Sequence, residues 1–125
     1  MSQDNGGMNE RTGVAGESML TKKYYIVQLD ASGNIEVGEG ATDLLVGVLQ
    51  NKPDTGEAAV YRFGGTSKVI AGGTVAIGDW LTSDSSGKAI ATTTDGNITI
   101  GRALAAADTD DIIEVQMSIQ HLYIA

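Results

Sequence analysis

The stretch Ile113-Glu114-Val115-Gln116-Met117-Ser118-Ile119-Gln120 decides the fold. Apolar and polar residues alternate one by one along it, and a period of two places side chains on opposite faces of a β-strand. Val115, Met117 and Ile119 are expected to face inward, with Glu114, Gln116, Ser118 and Gln120 facing solvent.

Working back from this strand, similar short segments recur, each closed by turn residues. Ile98-Thr99-Ile100-Gly101-Arg102-Ala103-Leu104 lies between Asp95-Gly96-Asn97 and the acidic loop Asp108-Thr109-Asp110-Asp111. Ala103 to Ala107 leaves one helical turn as an alternative. Lys88 to Thr92 and Trp80-Leu81-Thr82 flank the turn Ser83-Asp84-Ser85-Ser86-Gly87. Thr74 to Ile77, Ser67 to Ala71 and Val60 to Phe63 are set off by Gly72-Gly73 and Gly64-Gly65. Asn51-Lys52-Pro53-Asp54-Thr55-Gly56 is the strongest turn, because Pro53 presets φ and Gly56 accepts a positive one. Leu44 to Gln50 is a continuous apolar run, the mark of a strand covered on both faces. Tyr24 to Leu29 and Ile35 to Val37 flank Asp30-Ala31-Ser32-Gly33-Asn34. Evenly spaced short strands predict an all-β fold, a small β-barrel or β-sandwich domain over residues 22–125. Residues 1–21 show neither a period of two nor one of 3.6. They are expected to form a flexible, extended N-terminal arm that can be removed without loss of the β-domain.

Composition narrows the function. The 125 residues include 17 glycines and one proline, consistent with many tight turns. Hydrophobic residues make up 42%, enough for one core. Aromatics are few (Tyr24, Tyr25, Tyr61, Phe63, Trp80 and Tyr123), so that core is aliphatic and thin, and contacts between subunits would add to it. The net charge of -8 disfavours binding to nucleic acid or to an anionic membrane. Thiolate chemistry is excluded by the absence of cysteine. The first twenty residues lack the apolar stretch of a signal peptide, and no run reaches membrane-spanning length, so a soluble protein is expected.

No cluster with catalytic chemistry emerges. His121 is the only histidine and reads as a surface or interface residue. Asp108, Asp110 and Asp111 carry oxygen ligands suited to calcium, but without the glycine and distal glutamate of an EF-hand they read as a solvated turn. Gly64-Gly65-Thr66-Ser67-Lys68 lacks the order of a phosphate loop, and its lysine precedes a strand rather than a helix. Asn97-Ile98-Thr99 matches the glycosylation triplet, a pattern that chance often produces. Trp80 beside Asp79 suits stacking on a sugar, but a lone tryptophan is more often a core or interface anchor. No catalytic, cofactor-binding or metal-binding residues are assigned, and a binding or structural role is expected.

Several segments carry a family resemblance. They are Val46 to Pro53 followed by Gly56 to Val60, Ser67-Lys68-Val69 with Ala71-Gly72-Gly73, and Ile77-Gly78-Asp79 with Leu81, Ser83-Asp84 and Gly87-Lys88-Ala89, closed by Ile100 to Leu104. In shared order over about Tyr24 to Ile119, these resemble the capsid decoration (cement) proteins of tailed bacteriophages. The resemblance implies a non-enzymatic homotrimer, made in the bacterial host cytoplasm and bound to the major capsid protein. It would sit on the outer surface of the virion, at three-fold and quasi-three-fold positions of the expanded head. The alternative is a carbohydrate-binding or tail-fibre-associated β-domain using Trp80 or the tyrosines.

Overall fold

The structure, a computed structural model, describes residues 9–122. Ten strands form two five-stranded antiparallel sheets, packed as a sandwich and not closed into barrels. The first holds β1 (Glu10–Val14), β2 (Ile26–Leu29), β3 (Ile35–Val37), β4 (Leu45–Leu49) and β5 (Ala58–Arg62). The second holds β6 (Thr66–Ile70), β7 (Trp80–Ser83), β8 (Ala89–Ala91), β9 (Ile98–Ala103) and β10 (Ile112–His121). The described residues contain no helix. The segment after Ala103 bends at Leu104 and Ala105 and then forms a bridge instead, with Ala107 exchanging both backbone hydrogen bonds with Val75, at 2.8 and 2.9 Å. Thr74 to Ile77, expected as a strand, contributes only that bridge.

Strand order exposes an internal repeat. The first sheet runs β1-β5-β4-β2-β3 and the second β6-β10-β9-β7-β8, the same order five strands later. The match extends to single bonds. In the first half, Asp30 Oδ1 accepts the N–H groups of Ser32 (2.8 Å) and Asn34 (2.9 Å). In the second, Asp84 Oδ1 accepts those of Ser86 (2.8 Å) and Lys88 (2.9 Å). Gly33 and Gly87 close these turns with φ of 83° and 82°, a conformation that glycine adopts without steric cost. Ala15 forms a parallel bridge to Ile35, and Ala71 forms one to Ala89. Met19 donates to the Pro53 carbonyl as Val75 does to that of Ala107, each at 2.8 Å.

Each half carries its own small core. Ala15, Met19, Val27, Ile35, Leu49 and Ala59 cluster in the first. Their counterparts Ala71, Val75, Leu81, Ala89, Ala103 and Ile113 belong to the larger cluster, which also takes in Ile26, Leu45 and Val48 from the first half. The apolar run in β4 thus serves two cores, with Leu49 on one side and Leu45 and Val48 on the other. Leu44, expected in the buried run, is 58% exposed.

The N-terminal stretch departs most from expectation. Residues 10–14 form β1, paired with β5 from Glu10↔Arg62 to Val14↔Ala58, and Met19 is fully buried. The stretch lacks alternation because β1 is an edge strand. Its burial comes from Ala15 and Met19 beyond the strand, which cover the first core. Residues 10–21 therefore belong to the first sheet and its core. The part of the expected arm at residues 1–8 lies outside the described residues.

Lys88 and Asp110 tie two turns of the second half together at 2.6 Å. That hydrogen bond raises the Lys88 pKa above its ordinary 10.5, with partial desolvation opposing it. A raised lysine pKa contributes stability that is fully present below 10.5 and lost as pH climbs through the folded value. Lys88→Met is therefore expected to lower the melting temperature slightly near neutrality. The gap to wild type should narrow above pH 10.5 in thermal melts monitored by circular dichroism.

Candidate interaction surface

The residues with recognisable chemistry lie apart. The Asp111 carboxylate accepts the Asp108 N–H at 2.9 Å, and Asp110 pairs with Lys88, so the acidic loop is knitted to itself and to a neighbouring turn. His121 is exposed at the end of β10, opposite Ile98. Lys68, expected to precede a strand, lies within strand β6, opposite Glu114. Asn97 donates to Thr92 Oγ1 at 2.8 Å, and Thr99 is fully buried. Tyr123 is outside the described residues.

The aromatic residues are distributed in a more telling way. Trp80 is half-buried on β7, and the Arg102 guanidinium lies 5.0 Å from its ring centroid. Arg102 also donates from Nε to the Gly78 carbonyl at 3.1 Å, which fixes the stack. Away from this stack, an apolar groove is lined by Arg11, Leu45, Val46, Tyr61, Phe63 and Ile119, none of them a residue of the stack. Arg11 lies 5.9 Å from the Phe63 ring centroid. The Arg62–Glu10 ion pair braces the β1–β5 rim close to it. A second cleft, polar in character, runs between Glu17, Ser18, Lys22, Glu39 and the Ser85-Ser86 turn.

Exposed apolar side chains add to this surface. Val14 is 50% exposed, Ile77 71% and Leu104 42%. Side chains of this size gain from being covered. Sequence reasoning singled out Trp80 as a possible interface anchor but missed the Tyr61–Phe63 groove, whose residues meet only once β1 pairs with β5.

The fold is a β-sandwich, a doubled five-stranded sheet with aromatic and arginine side chains on its surface. The chain belongs to the phage cement protein family, whose model matches residues 21–119. Among solved structures it is similar to the head fiber gp8.5 N base of bacteriophage phi29, with a TM-score of 0.69 and 20% identity. The alignment covers 92% of this chain and 98% of that one. No curated protein sequence matches the chain.

Proposed function

We propose that this protein is a capsid decoration protein. It attaches as a homotrimer to the outer surface of the expanded head of a tailed phage and binds the major capsid protein at three-fold and quasi-three-fold positions. The observation that carries this reading is the cement-family match across residues 21–119, and the similarity of fold to a phage head fiber base supports it. Packed DNA pushes the shell outward, and a trimer straddling several capsid subunits resists their separation. The lattice repeats each contact many times, so modest individual contacts suffice. The net charge of -8 keeps the protein from its own genome's phosphates.

The carbohydrate-binding alternative gains little, because one face of the Trp80 ring is already taken by Arg102. Co-sedimentation with purified heads tests the leading reading. The protein is expected to pellet with expanded heads, to leave unexpanded ones largely bare, and to delay DNA loss from the expanded heads on heating. Expanded heads that stay undecorated at saturating protein would refute it.

A further inference from the structure

The two halves meet at one joint, and the molecule carries the parts of a second. Within the chain, Ile26, Leu45 and Val48 of the first half are buried with residues of the second, and β4 lies against β9, β10 and β6. Among the hydrogen bonds that pin this joint, beside that from Ile98 N–H to the Ala41 carbonyl at 2.8 Å, are three at its centre. Ile26 N–H donates to the Gly87 carbonyl at 2.7 Å, Ile70 N–H to that of Tyr24 at 3.0 Å, and the Gln50 amide to Ser67 Oγ at 2.9 Å.

The repeat assigns each side a counterpart. Ile26, Val37, Gly38 and Val48 correspond to Trp80, Ala91, Thr92 and Arg102. On the opposing side, Ser67, Ile100, Val115 and Met117 correspond to Arg11, Val46, Tyr61 and Phe63, and the Asp84–Gly87 turn to Asp30–Gly33. The first set of counterparts contains the Trp80–Arg102 stack. The second supplies most of the lining of the apolar groove.

The joint is not reciprocal. If a two-fold axis related the halves, the Asp30 turn would sit on the second half just as the Asp84 turn sits on the first. A Cβ on Gly87 would collide with Val37 and approach the Ile26 carbonyl, whereas one on Gly33 would meet nothing within 4 Å. One mated joint therefore leaves one open face and one open groove per chain, which is the signature of a head-to-tail contact.

We propose that the Trp80–Arg102 face of one copy seats in the Tyr61–Phe63 groove and against the Asp30–Gly33 turn of the next, repeating between chains the joint made within each. The occupant is a second copy of this chain. Three exposed apolar side chains fall into place. Val14 is the counterpart of Ile70 and Leu104 of Gln50, while Ile77 adjoins Gly78, the counterpart of Tyr24. The change in residue type also fits. The internal joint is mainly aliphatic, with Tyr24 its one aromatic neighbour, but the open parts carry tryptophan, tyrosine, phenylalanine and arginine, the composition of surfaces that are wet until they bind. Thr92 and Leu29 replace the closely packed Gly38 and Ser83, so the intermolecular joint is wider than the internal one. Closure at three copies rests on the trimer proposed above; the contact itself rests on the repeat.

The chain has no cysteine, so introduced pairs report cleanly. Ser32 and Ala91 are both exposed and lie beside and at the counterparts of the Gly87–Val37 contact. On oxidation, the Ser32→Cys/Ala91→Cys variant is expected to run as a covalent trimer on a non-reducing gel, while neither single variant cross-links. Trp80→Ala and Phe63→Asp should weaken self-association by about tenfold or more in sedimentation velocity, with circular dichroism spectra like wild type. A single-cysteine variant that dimerises through its own thiol indicates an isologous contact and overturns the proposal. Trimers that persist at wild-type affinity in both substitutions, with no cross-link, overturn this contact but leave the trimer standing. A wild-type monomer at every concentration removes both. Should Trp80→Ala fail to fold, the cross-link alone decides.

Discussion

Gly101→Ala is expected to destabilise the protein by about 3 kcal/mol or more, lowering the melting temperature by roughly 10 °C or more. A Cβ at this position would press into the Gln116 carbonyl and backbone across the β9–β10 ladder, and its φ of 152° is one that L side chains rarely adopt. The obstacle is backbone within a ladder, so rotation of a flexible side chain cannot relieve it. Gly47, the counterpart in β4, faces the Arg62 carbonyl in the same way, and Gly47→Ala should lose a similar amount. Gly73→Ala serves as the control, because its Cβ would find only the Ile90 methyl at an ordinary 3.9 Å. It should change stability by less than about 0.5 kcal/mol. Denaturant titration of the three variants checks the set; equal midpoints for Gly73→Ala and Gly101→Ala would contradict the close-approach argument.

The second large effect concerns the N-terminal stretch. Met19 is fully buried beside Ala15, Val27, Ile35, Leu49 and Ala59. Met19→Ala should cost about 2–5 kcal/mol, since the small core has little to collapse into the void. Leu20, 51% exposed next door, should tolerate alanine almost without loss. Deleting residues 1–21 removes β1 and the cover of the first core together. Hydrogen exchange is expected to show the first half unprotected while the second keeps slow amides. A truncated protein with wild-type protection in β2 and β4 would show that the cover is dispensable.

The strands were legible where packing leaves a periodic trace. The alternation from Ile113 to Met117 is borne out by burial, and it fades at Ser118 and Ile119 because the register against β9 shifts between Met117 and Gln120. The run in β4 correctly signalled a strand covered on both sides. β1 was not legible, since Glu10-Arg11-Thr12-Gly13-Val14 is an edge strand whose role is set by its pairing with β5. The repeat was hidden for a different reason. Its halves share only a few residues, at turns (Gly16/Gly72, Asp30/Asp84, Gly33/Gly87 and Asp54/Asp108), at a bridge (Ala15/Ala71) and at a close approach of strands (Gly47/Gly101). Core volumes have been traded between halves, for example Met19 for Val75 and Ala59 for Ile113. Trp80 could be named as an anchor from its scarcity, but the groove is assembled from four strands, β1, β4, β5 and β10, that only tertiary pairing brings together.

The parallel bridges described above have a bearing on solubility. Ala15 meets Ile35 and Ala71 meets Ala89, so β3 and β8, three residues each and two of the four outermost strands, have part of their hydrogen-bonding edge occupied by their own chain. Long bare edges are what template runaway strand addition and fibrils. A polypeptide with these two margins partly tucked in offers less bare backbone to such addition at high concentration.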